Sequence, residues 1–145
     1  MKAKVRTWIN VLLTAILGLF GYGCIIRAEY GTPMADFTLE GTVSNEQGEP
    51  LPNIQVVQRG GYKDGAGTIY WQEWPDTLYT NAEGKYYRHY GGDFPLEYRK
   101  VVVNDTSGVY ASDSIDTAVT YSGGDHRWYH GQGTLSADFV LKKKQ

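Results

Sequence analysis

The chain has a single cysteine, two methionines and no excess of basic residues. One thiol cannot form an intramolecular disulfide, so a core and its hydrogen bonds must hold the fold. Phosphate-backbone binding needs a basic footprint; with fourteen basic residues against sixteen acidic ones, no nucleic-acid partner is expected. Signatures of catalysis are missing too. There is no G-x-S-x-G and no ordered acid, histidine and serine set. Gly60-Gly61 and Gly91-Gly92 lack phosphate-loop spacing, and no helical pattern follows them. The chain is therefore expected not to be an enzyme and to carry no cofactor.

What is present begins with a segment unlike the rest. Lys2, Lys4 and Arg6 form a basic start, Trp8 to Phe20 is apolar apart from Asn10 and Thr14, and Gly21-Tyr22-Gly23-Cys24 closes the run. This order reads as a secretory signal over residues 1–23, a hydrophobic signal helix that precedes the fold. The run is short of the roughly 20 residues a spanning helix usually needs but nearly reaches that length if extended through Ile25 and Ile26, so an uncleaved membrane anchor is the alternative reading. Residues 24–34, with Gly31 and Pro33, read as a tether, and 35–145 as one domain. Without the three leader cations, eleven basic residues face sixteen acidic ones, a balance of −5. Lys142-Lys143-Lys144 reads as a solvated tail.

Glycine and tyrosine are abundant, which suits strands and turns. Phe37, Leu39, Gly41 and Val43 alternate with Thr38, Glu40 and Thr42, the period of a half-buried strand. Asn45-Glu46-Gln47-Gly48-Glu49-Pro50 interrupts as a tight polar turn, and Ile54, Val56 and Val57 resume. Asn81-Ala82-Glu83-Gly84 repeats the signal before Tyr86. Arg59 to Thr68 reads as a glycine-rich loop. Further strands are expected at 85–90, 96–103, 115–121 and 135–141, with Leu135, Ala137, Phe139 and Leu141 on one face.

The stretches GTVSNEQGEPLPNIQV and TNAEGKY resemble the carboxypeptidase regulatory-like, or transthyretin-like, domain. That resemblance implies an all-β fold, a seven-strand-type antiparallel Greek-key sandwich, and brings no peptidase residues with it. Asn45 and Asn81 stand where the family pattern has acidic residues, and Tyr86 where it has phenylalanine. Cys24, preceded by Gly23, is similar to the lipobox cysteine of bacterial lipoproteins, which implies acylation of its thiol and anchoring in a lipid bilayer. A lipobox, then EYGTP-x-A-D-F, then a sandwich of this length resembles the radical-SAM-associated lipoproteins of anaerobic bacteria. The resemblance implies cell-envelope placement, at the outer membrane, beside a radical-SAM enzyme. The expected role is a lipid-anchored, non-catalytic binding or scaffold module whose partner is another envelope protein or a glycan. Modification of its side chains by the neighbouring radical-SAM enzyme is the alternative.

Two clusters are candidate sites. Tyr70, Trp71, Trp74 and Tyr79 lie near the glycine-rich loop, and exposed aromatics give large contact area at low entropy cost. They are the candidate binding platform, set against a role in core packing. Asp125, His126 and His130 are ligand-type residues at a spacing that would place both imidazoles on one face of a helix. The flanking Gly123, Gly124 and Gly131 instead imply a loop, so no metal centre is expected there.

Overall fold

The computed structural model describes residues 31–125 and 127–145, together with 8, 9 and 12. The chain divides into two compact units, Met1–Gly31 and Thr32–Gln145. The signal segment and the lipidation residue Cys24 lie outside the described residues. Among those described, no helix is long and apolar enough to cross a membrane.

The second unit is all-β and consists of two sheets. Its described strands are β1 (Met34–Asn45), β2 (Gln55–Lys63), β3 (Ile69–Trp71), β4 (Asp76–Tyr79), β5 (Lys85–Asp93), β6 (Tyr98–Asn104), β7 (Asp113–Ala118), β8 (Ser122–Gly123), β9 (Tyr129–Ser136) and β10 (Phe139–Leu141). In the first sheet β1 is central, with β5 on one side, β9 and β10 sharing the other, and β8 beyond β9. In the second, β3 and β4 share one flank of β2, and β6 then β7 lie on the other.

Period-2 alternation sets the two inner faces. Phe37, Leu39 and Val43 of β1 are buried against Val56 of β2, Val101 and Val103 of β6, and Leu135, Phe139 and Leu141 of β9 and β10. Each fully buried side chain of this size contributes about 1.5–3 kcal/mol. Tyr86 reaches across this core, its hydroxyl donating to the carbonyl of Ala137. Burial, with the nearby Asp138 charge, pushes its phenol well above the ordinary value.

Several expectations are corrected. The polar turn after β1 joins strands of different sheets, so Asn45–Pro50 is an arch between layers, as is Asn81–Gly84 between β4 and β5. The sandwich is mixed rather than purely antiparallel, because β9 and β10 run parallel to β1. Parallel neighbours need a long crossover, and here the whole second sheet intervenes, beyond the range of local turn signals. The last alternation is one apolar face broken into two strands. Asp138 accepts from the amide and hydroxyl of Thr42 at 2.8 Å each, filling the break in the ladder.

Arg59 to Lys63 continues β2 instead of entering a loop. The glycines are there because neighbours press on the strand. A Cβ on Gly60 would lie 2.1 Å from Leu96 Cδ1, and one on Gly61 would lie 2.8 Å from the Trp71 ring. Glycine inside a strand commonly marks such a close approach.

One turn design recurs. An Asn or Asp side-chain oxygen accepts from the amides two and four residues on, at Asn45, Asp64, Asn81 and Asp125, all within 3.0 Å. Asp105 does the same with both oxygens. In four of these turns the fourth position is a glycine with φ between +69° and +92° (Gly48, Gly67, Gly84 and Gly108), a region favouring glycine.

Candidate functional site

The strand register divides the four candidate aromatics. On β2, Val56, Gln58 and Gly60 point inward, so Val57, Arg59 and Gly61 face outward. Trp71 pairs with Gly61 and Tyr79 with Gln55, which puts both on the outer face of the second sheet. Those partners are six positions apart along β2, about 20 Å at strand rise. Tyr70 pairs with Tyr62 on the opposite face, the two rings stacked at 5.5 Å. Trp74 stands in the loop between β3 and β4 and is 85% exposed. The four therefore do not form one platform; Trp71 is the member set into the sheet.

Around Trp71 the outer face is ordered in rows. Trp71, Gly61, Tyr98 and Ala118 lie side by side across β3, β2, β6 and β7. The next outward row is Arg59, Lys100 and Asp116, and the one after it Thr77, Val57, Val102 and Ser114. Because Gly61 has no side chain, the Trp71 ring packs down onto β2. The ammonium of Lys100 sits 5.6 Å from the ring centroid, a cation–π distance. Lys100 also pairs with Asp116 at 3.4 Å. Val57, Arg59, Trp71, Lys100, Val102 and Asn104 enclose a cleft of about 380 Å³, within the ~300–1,000 Å³ usual for ligand pockets. Sequence reasoning found Trp71 but missed Arg59, Lys100 and Asn104, which approach it only through strand register.

A wider groove of about 590 Å³ runs beside β7 and β8, where Glu97, Thr120, Ser122 and His130 meet Tyr98 and Tyr121. The Tyr121 hydroxyl is already committed to Arg99 and to the carbonyl of Leu96. Of the three ligand-type residues named from sequence, His126 lies outside the described residues. Asp125 spends its carboxylate on the amides of Arg127 and Tyr129, which hold it below the ordinary acid range. His130 is exposed at the start of β9. Among the described residues no group of three histidine, cysteine or acidic side chains could hold a metal ion.

A buried polar centre lies between the sheets. Arg99 is 1% exposed and places its guanidinium 3.9 Å from the Phe37 ring centroid. It donates to Asp93 at 3.2 Å, to the Tyr121 hydroxyl at 3.2 Å and to Gln58 at 3.4 Å, while its Nε has no partner. Tyr90 stacks on the same phenylalanine and donates to Asp76 at 2.7 Å. Burial, then the bond to Asp76, pushes the Tyr90 phenol well above its usual value. These groups are tied to one another inside the sandwich, so their position is structural.

No protein-family model and no curated protein sequence matches the chain. Solved structures do. Catechol 1,2-dioxygenase from Pseudomonas arvilla C-1 aligns at 14% identity and a TM-score of 0.51, over 81% of this chain and 55% of that one. Catechol 1,2-dioxygenase from Acinetobacter sp. ADP1, inhibited by bound mercury, gives 13% and 0.51, over 83% and 55%. 3-Chlorocatechol 1,2-dioxygenase from Rhodococcus opacus 1CP gives 11% and 0.50, over 81% and 62%. The chain thus spans little more than half the length of these neighbours, and at such identity the likeness is one of fold alone.

That likeness corrects the expectation that the chain is not an enzyme. The sandwich architecture is one on which dioxygenases are built. An exclusion drawn from missing local motifs fails physically, because a sandwich can assemble a site from residues far apart in sequence. Fold alone does not assign an activity.

Proposed function

We propose that the chain is an exported, lipid-anchored binding module of the bacterial cell envelope, a transthyretin-like sandwich that meets its ligand with the outer face of its second sheet. The observation that carries this reading is the Trp71 cleft. An indole packs against a glycine of the neighbouring strand, and Arg59, Lys100, Val57 and Val102 line the same cleft. A partly buried tryptophan set into a sheet offers a rigid aromatic contact surface at little entropic cost. Anchoring at Cys24 rests on the leader and the lone thiol. It would hold the module at the outer membrane, with the radical-SAM enzyme as a neighbour rather than as its ligand.

Probing arrays of glycans and envelope proteins with the full-length protein tests the binding face. Trp71→Ala should abolish the dominant signal, whereas Trp74→Ala, on the exposed loop, should leave it. Equal capture by wild type and Trp71→Ala would reject the face. Incorporation of labelled palmitate, lost in Cys24→Ala, tests the anchor.

A further inference from the structure

We propose that the Trp71 cleft takes an acidic saccharide, a uronate or sulfated pyranose whose ring lies on the indole and whose anionic group sits between Arg59 and Lys100. The inference rests on the binding face argued above and adds the chemistry of its ligand.

Arg59 and Lys100 are directly opposite each other in the β2–β6 register and share the outer face. Like charges in that relation oppose strand pairing, so the sheet carries a local conflict that its own residues resolve only in part. Lys100 has Asp116 at 3.4 Å, an exposed and therefore weak partner. Arg59 is exposed, and among the described residues its side chain has no hydrogen bond or ion pair. Register places Lys63 on the same face two positions beyond Gly61, and Asp116 is the face's one acidic residue on the paired strands. This cationic surface belongs to a domain whose balance without the leader is −5. A local rule broken without internal compensation marks a functional position, and here the missing component is an anion.

The shape of the cleft selects among anions. Guanidinium matches carboxylate and sulfate with two parallel donors. Trp71, whose ring packs against Gly61, lends the cleft apolar aromatic surface of the kind that receives the C–H groups of a sugar ring. Val57 and Val102 add apolar lining on the other side of the Arg59–Lys100 row. At the far end Asn104, 3.5 Å from Gln55, offers amide groups to hydroxyls. A single-stranded nucleic acid would also use stacking and cations, but tracking its backbone needs a longer basic groove than the Arg59–Lys100 row supplies.

Binding is measured by titrating the full-length protein in detergent with oligogalacturonate and with a sulfated oligosaccharide. A neutral malto-oligosaccharide of equal length and a single-stranded oligonucleotide are the controls. The acidic sugars should bind at least tenfold more tightly than the neutral one and weaken with added salt. Arg59→Gln should lose at least tenfold in acidic-sugar affinity while melting, without ligand, no lower than wild type, because the like-charge pair is gone. Equal affinity for acidic and neutral sugars, preference for the oligonucleotide, or unchanged binding by Arg59→Gln would overturn the proposal. Trp71-dependent binding of only neutral ligands would retire the anion and keep the face; absence of any Trp71-dependent ligand would retire both.

Discussion

Neutralising Asp93 should cost this sandwich more than removing the arginine it pairs with. The Arg99 side chain is 1% exposed and that of Asp93 is 32% exposed. Breaking a fully buried pair from one side costs about 3–5 kcal/mol, and breaking an exposed one about 0–1 kcal/mol. Asp93→Asn keeps an oxygen for the amide of Phe94, 2.8 Å away, but leaves a buried guanidinium whose Nε is already unpartnered. A loss of about 2–3 kcal/mol follows, or about 10 °C or more in Tm. Arg99→Met preserves the aliphatic stem, gives up the contact with Phe37 and removes the desolvation cost, while Asp93 can turn to water. Its net effect should lie within about 1 kcal/mol of zero. Urea denaturation of the wild type and both variants measures the difference. If Arg99→Met costs more than Asp93→Asn, the assumption that arginine desolvation dominates this centre is wrong.

Three further outcomes are expected. Tyr86 and Tyr90 are held neutral beyond their ordinary value of 10.0, so the stability they contribute is intact below pH 10 and declines as pH rises toward their folded-state values. Phenolate absorbance should show two of the twelve tyrosines ionising only on unfolding, and free titration of all twelve in the folded protein would refute this. Asp36 is depressed by the Gly92 amide and then the Tyr129 hydroxyl, Asp64 chiefly by the Thr68 amide, and Asp125 by the Arg127 amide. Their contribution is therefore present above the ordinary 3.8 and is lost as pH falls through the lower folded values. Tm should be level near neutrality and drop on acidification below about pH 4; a Tm that rises there would contradict it. Gly84→Ala combines a φ of +69° with a Cβ 2.6 Å from the Val43 carbonyl and should cost about 3 kcal/mol. Gly48→Ala, at φ +80° with open space around it, should cost about 1 kcal/mol. The reverse ranking by chemical denaturation would contradict the close approach at Gly84.

The sheets were legible where burial is one-sided. Phe37, Leu39 and Val43 alternate cleanly because β1 has a solvated face, and Leu135, Phe139 and Leu141 do so for the same reason. The turns at Asn45 and Asn81 were legible from their asparagine and glycine. The equivalent turn at Asp64 was absorbed into a supposed loop, because the glycines before it resemble turn residues until their neighbours are known. Direction and layer were not legible: a short polar turn looks alike whether it closes a hairpin or arches between sheets. For the site, aromatic content pointed to Trp71, but Arg59 and Lys100 are forty-one residues apart in sequence and meet only through the β2–β6 register. The buried Arg99 was hidden for a similar reason, since a charged residue in a strand reads as outward-facing until Asp93, Gln58 and Tyr121 are seen around it.

The outer face around Trp71 is the proposed binding surface. Residue-resolved NMR of the full-length protein in detergent, titrated with oligogalacturonate, measures where the ligand sits. Shifts concentrated at Arg59, Gly61, Trp71 and Lys100 are the predicted result. Shifts confined to the β1–β5–β9 face or to the groove at Glu97 and His130, with Trp71 unmoved, would contradict it.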